Sequence, residues 1–196
     1  MLIVVARYNE DVEWTRRFPN VLIYNKGDSL NTEVPLYNEI LLENIGREGH
    51  TYYKYICDNY DNLEDYTVFL QGEPFYHSPN LLLNLEYLVK NIHNMEFDFK
   101  YLSETLKDCS LEQCHFSLEP LPLKDVYEKL FEKRIDNLSF IFGAGAQYVV
   151  SKDAIRKRPR EFYMKIVEML QNEIDPIEGY VIERFHLLIF SGIYQQ

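Results

Sequence analysis

Residues 2 to 6, Leu-Ile-Val-Val-Ala, form an apolar run with no polar alternate. Successive side chains of a strand point to opposite faces, so a strand wet on one side must alternate. An unbroken run needs cover on both faces, which is the position of a central strand in a parallel sheet. Thr67-Val68-Phe69-Leu70, inside a strand expected over Tyr66–Gln71, has the same character. Asn20 to Tyr24 supplies another strand, closed by the turn residues Asn25-Lys26-Gly27-Asp28.

Helical segments separate these runs. Asn9-Glu10-Asp11 reads as the start of a short helix carrying Val12 and Trp14. Tyr52, Tyr55, Ile56 and Tyr60 recur at helical spacing within 46–60. Ser78-Pro79 reads as a cap and first turn for a helix reaching about His93. Residues 97 to 123 carry no clear period and are expected to be irregular. A helix follows over 124–134, then short strands at Phe140–Phe142 and Gln147–Val150. Ser151 caps the next helix, Pro159 interrupts and restarts it, and Asp175-Pro176 begins a last helix to about Phe190. This order predicts one α/β domain over 1–196, a mainly parallel central sheet flanked by helices. No repeat or linker divides it.

The net charge of -11 argues against a nucleic-acid partner, which would need a basic face. A few local Lys and Arg side chains can still hold one diphosphate. The sixteen Tyr and twelve Phe are mainly core material, although aromatic faces also line sugar clefts. No apolar run approaches the roughly 20 residues of a membrane span. The start of the chain lacks the basic flank of a signal peptide. The three cysteines have no metal spacing, and an odd number gives no disulfide framework, so a cytoplasmic setting is expected.

In an open parallel sheet, ligands bind beyond the carboxyl ends of the strands. Those ends carry Arg7, Tyr8, Asn9 and Glu10, then Asn25, Lys26 and Gly27, then Gln71, Gly72, Glu73 and His77. Turn chemistry favours Gly, Asn, Asp and Ser, so Arg7, Lys26, Glu73 and His77 exceed what turns require. Glu73 is either a solvated loop carboxylate or a partner for a cation or sugar hydroxyl. His77 either packs on Phe75 or Tyr76 or faces a ligand. Arg47, set against the helix dipole in Asn44-Ile45-Gly46-Arg47-Glu48, pairs with Glu48 or meets a phosphate. The loop Gly143-Ala144-Gly145 is a tight bend or a bare surface for docking; it lacks the dinucleotide fingerprint and the P-loop signature. Gly179, Glu183 and His186 fall at i, i+4 and i+7 of a helix. They form a pocket wall, with Gly179 leaving room for a substrate, or a structural pair.

The segments VVARYNEDVEW, YNKG, NIGREGHTYYKYI, DYTVFLQGEPFYH and GAGAQYVVSKDAI together resemble an uncharacterised family known only as a domain of unknown function. More distantly, the motif order resembles GT-A-type glycosyltransferases of the rhamnan-synthesis kind. There Asn9-Glu10 follows the first strand, Asn44-x-Gly46-Arg47-Glu48 precedes a helix, and Glu183-Arg184-Phe185 lies on the C-terminal helix. The Asp-x-Asp pair of those enzymes is Gln71-Gly72-Glu73 here, one carboxylate short.

This second resemblance implies transfer of a sugar from a nucleotide-diphosphate donor to a hydroxyl acceptor of a glycan. Arg7, Asn9 and Glu10 would hold the nucleoside, Lys26 and Arg47 the phosphates, with Asn44, Gln71 and Glu73 completing the donor site. Gly143, Ala144 and Gly145 would form the acceptor side, and Glu183 would be the base if the transfer inverts. A divalent cation, Mn or Mg, would have Glu73 and His186 as protein ligands. A non-catalytic sugar- or nucleotide-binding module on the same fold is the alternative.

Overall fold

The computed structural model describes residues 1–31, 35–114 and 120–191. Six strands form the main sheet: β1 (Leu2–Arg7), β2 (Val21–Asn25), β3 (Glu39–Leu41), β4 (Tyr66–Gln71), β5 (Phe99–Tyr101) and, later in the chain, β8 (Tyr148–Ser151). Between the last two come β6 (Leu106–Ser110) and β7 (Ser139–Gly143). The sheet order is β3-β2-β1-β4-β8-β5. β1 pairs parallel with β2 and β4, and β2 with β3. β8 runs antiparallel to both β4 and β5. The architecture is α/β with a mainly parallel, mixed central sheet.

The apolar runs alternate between two cores rather than between core and water. Val4, Ala6, Tyr24, Phe69, Tyr148 and Val150 face one side. Ile3, Val5, Ile23, Val68, Leu70 and Val149 face the other. The first side is thick: α1 (Arg47–Asn59), α3 (Leu123–Phe131), α4 (Lys152–Arg156), α5 (Arg160–Leu170) and α6 (Ile177–Ser191) contribute to its core. The second is thin, closed by α2 (Leu81–Asn91) through Leu81, Leu85 and Leu88 and by Val12 and Phe18 flanking a 3₁₀ turn over Glu13–Arg17. Each fully buried aliphatic or Phe side chain contributes about 1.5–3 kcal/mol relative to exposure.

Several elements differ from the sequence reading. β5 and β6 lie in the stretch expected to be irregular; their half-exposed pattern hides them, and pairing with β8 and β7 makes them strands. α2 begins at Leu81, not at Ser78, whose carbonyl accepts Leu81 N–H at 3.0 Å. The short helix expected from Asn9-Glu10-Asp11 is a 3₁₀ turn that begins later, at Glu13, and carries Trp14 with Val12 just before it. The Ser151 cap is as expected, its hydroxyl accepting from Ala154 N–H at 3.0 Å. Pro159 separates α4 from α5 as read.

The cysteine reading is corrected as well. Cys109 and Cys114 form a disulfide across five positions, and Cys57 is the free thiol. An odd count excludes complete pairing, not one pair. The premise for a cytoplasmic setting therefore falls away. Among the described residues no helix is long and apolar enough to cross a membrane.

Candidate ligand crevice at the strand ends

The chain steps outward from β1 to β2 to β3, then returns to lay β4 on the other side of β1. Loops therefore leave β1 and β4 in opposite directions, and a crevice opens beyond their carboxyl ends. Side chains latch the surrounding loops together. Arg7, 8% exposed, donates from Nε to the Glu10 carbonyl at 2.9 Å. Its Nη1 donates to Asn25 Oδ1 at 2.7 Å and to the Asp28 carbonyl at 2.8 Å. Asn9 Oδ1 accepts from Asp28 N–H at 2.7 Å. Glu10 accepts from Tyr8 N–H, and Trp14 Nε1 donates to the Gly72 carbonyl at 2.9 Å.

A cavity of about 490 Å³ occupies the crevice. Of the eight residues expected around a donor, Arg7, Glu10, Lys26, Asn44, Arg47, Gln71 and Glu73 line it; Asn9 does not. Tyr8, Glu48 and Asp175 complete its polar wall. The side chains of Asn44, Gln71 and Glu73 make no hydrogen bond or ion pair with any described residue. Lys26 is more engaged than the sequence suggests: its ammonium donates to the carbonyls of Ile45 and Arg47, each at 2.5 Å. Burial pushes its pKa down to about 8, with Glu48 pulling the other way. Arg7 and Lys26 thus hold protein loops first, and line the cavity second.

Arg47 is built in at a conformational cost. Gly46 (φ 62°) and Arg47 (φ 53°) are both left-handed, and α1 starts from them. Their N–H groups donate to the carbonyls of Glu173 and Ile174, at 2.8 and 3.2 Å. The guanidinium lies 3.8 Å over the Tyr180 ring and 3.7 Å from both Glu48 and Asp175. A Cβ on Gly179 would sit 3.2 Å from Arg47 Cδ. The gap at Gly179 therefore admits Arg47, which corrects the expectation that it admits a substrate. Arg47 Nη1 is buried and has no hydrogen-bond partner.

A second cavity, of about 700 Å³, shares Arg47 and Gln71 with the first. Ala144, Gly145 and Glu183 line it, joined by His77, Tyr76 and Lys107. Gly143 does not: a Cβ there would meet the Tyr101 ring at 2.7 Å, so its bareness serves packing. Gly145 (φ 87°) donates its N–H to Glu183 Oε1 at 2.7 Å. Burial and the nearby Glu48 raise the Glu183 pKa, while Gly145 N–H, Arg47 and Arg184 hold it back.

His186 is a correction. It is 1% exposed, with its ring 4.5 Å from that of Tyr148 and close to Tyr52 and Tyr53. Neither ring nitrogen has a partner, and burial lowers its pKa to about 3. It lines neither cavity and cannot join Glu73 at a metal. Among the described residues no three His, Cys, Asp or Glu side chains converge as a metal group. Glu73 alone does not fit a protein-held divalent centre.

The sequence missed Glu48, Lys107, Asp175 and Tyr180 as wall residues. Lys107 arrives from an unexpected strand, and Asp175 reads in the sequence only as the start of the last helix. Residues 2–196 match the family described as "Protein of unknown function (DUF3431)", and the chain belongs to it. No curated protein and no solved structure matches the chain.

Proposed function

We propose that this member of the family is a glycosyltransferase of GT-A type, moving a sugar from a nucleotide-diphosphate donor to a hydroxyl acceptor of a glycan. The carrying observation is the grouping of seven expected donor residues around one cavity at the switch point of the sheet. The donor lies there, its diphosphate against Arg47 and Lys26 and its sugar against Asn44, Gln71 and Glu73. The acceptor enters the second cavity, and the reading is supported there by the Arg47 and Gln71 that this cavity shares with the first. Two groups there could take the acceptor's proton, Glu183 and His77.

A non-catalytic module for an uncharged, hydroxyl-rich ligand competes with this reading. Its support is that Arg7 and Lys26 are bonded to protein, and that three basic side chains in the first cavity face four acidic ones. Calorimetry with UDP and GDP, with and without Mn²⁺, separates the two. Transfer requires binding between about 1 mM and 1 μM, roughly -4 to -8 kcal/mol, weakened more than tenfold in Arg47→Ala. Wild-type protein that binds neither nucleotide, but binds free sugars, is the module.

A further inference from the structure

We propose that His77, through Nε2, is the base that takes the acceptor hydroxyl's proton, and that Glu183 positions the loop beside it. This rests on the glycosyl-transfer reading. His77 follows β4 and is held by its backbone: its carbonyl accepts from Glu104 N–H at 2.8 Å and from the Ser103 hydroxyl at 3.4 Å. Its ring stands edge-on to Tyr76, with centroids 4.7 Å apart and planes at 88°.

Gly145 sets the relation between the two acid–base groups. On one side its N–H engages Glu183 Oε1 at 2.7 Å. On the other, a Cβ at Gly145 would come within 2.8 Å of His77 Cδ2, so the bare backbone is what admits the imidazole. The carboxylate is committed. Oε1 accepts from Gly145, Oε2 lies 3.8 Å from Arg184, and the side chain is 11% exposed. The imidazole is uncommitted: its nitrogens make no hydrogen bond with a described residue, and only Nδ1 is sealed from solvent. Nε2 is thus a basic atom left open in this chamber. Burial lowers the His77 pKa, which keeps the ring neutral and able to accept a proton near pH 7.

The step balances without a further reagent. The acceptor O–H proton passes to Nε2 as the oxygen lone pair forms a bond to the donor's anomeric carbon. The bond from that carbon to the diphosphate oxygen breaks, and its electron pair leaves on the nucleotide. The imidazolium then returns its proton to solvent. The course is a single displacement with inversion.

Tyr76 is 90% exposed at the mouth of the same chamber. Its ring offers an apolar face to a sugar presented to His77.

The test uses the full chain with UDP-glucose and GDP-mannose as donors, and methyl glycosides or water as acceptors. Nucleotide affinity is measured first by calorimetry. His77→Ala should keep the nucleotide Kd within about twofold and lose kcat by about 100-fold or more. Added imidazole should restore part of it. The acid limb of the wild-type pH profile should vanish with the ring. That limb is set beside Arg47 of α1, Lys107 of β6, and Tyr180, Glu183 and Arg184 of α6, which face the same chamber. Glu183→Gln, which still accepts from Gly145, should keep the limb. A His77→Ala protein that binds nucleotide and turns over within threefold of wild type overturns the role of His77 alone. Wild-type protein that binds no nucleotide overturns this role and the transferase reading together.

Discussion

Arg47 holds a left-handed backbone that costs a non-glycine residue about 1–3 kcal/mol. Its neighbours sustain that cost: Lys26 ties down the 45 and 47 carbonyls, and the 173–174 carbonyls accept the 46 and 47 N–H groups. The result is a cation fixed between two cavities with one donor unengaged. His186 makes the opposite case, a polar ring with no access. Its folded pKa, about 3, lies below the ordinary value of 6.5, so the unfolded chain takes the proton first. Its contribution to stability is complete above pH 6.5 and is lost as pH falls through about 3. His50, lowered to about 4 by burial and by Lys26 and Lys54, adds a separate limb. His186→Phe should remove its share, on the order of a few kcal/mol at the acid end, leaving nucleotide binding unchanged. Urea titrations at pH 7 and pH 4 check this; equal acid sensitivity in wild type and variant would show that the ring is solvated.

At the scale of elements, the signals that read correctly were those tied to one local cause. β1 and β4 announce themselves because a strand covered on both faces has no polar alternate. Ser151 and Pro159 mark helix ends because a side-chain acceptor and a missing N–H act locally. β3, β5 and β6 have no such mark: residues such as Glu39, Lys100 and Lys107 become strand only by pairing with distant partners. α6 shows why shared spacing misleads. Gly179, Glu183 and His186 do lie at related positions, but the helix is buried on most sides. One of them makes room for Arg47, one faces the second cavity, and one packs among tyrosines. The Cys109–Cys114 link ties the end of β6 to the loop beyond it, on the strand that brings Lys107 to the chamber. By loop-closure entropy a link this short is worth about 2 kcal/mol. Denatured, unreduced protein should alkylate at one thiol, Cys57, and at three after reduction. Cys109→Ser with Cys114→Ser should lower unfolding free energy by about that amount, with the protection of β6–β7 amides falling before that of β1–β4. Three reactive thiols without reductant would refute the link.

For the molecule as a whole, the acidic surface and the crevice pull an anionic ligand in different directions. The chain carries a net charge of -11, which repels a nucleoside diphosphate at long range. Inside the crevice three basic and four acidic side chains nearly cancel, so the proposed donor reading leaves the interaction to short contacts with Arg47 and Lys26 and to hydrogen bonds from Asn44 and Gln71. Raising ionic strength from 0.01 to 0.15 M shortens the screening length from about 30 Å to about 8 Å. That change removes the long-range repulsion while touching far less the short contacts with a partly buried guanidinium. A basic surface patch would respond in the reverse sense, losing affinity steeply as its exposed charges are screened. Nucleotide affinity for this protein should therefore hold within about twofold or rise over that range. Calorimetry with UDP or GDP at the two ionic strengths measures it directly. A tenfold weakening would mean that exposed lysines and arginines elsewhere capture the phosphates, and that the crevice between β1 and β4 is not where the nucleotide binds.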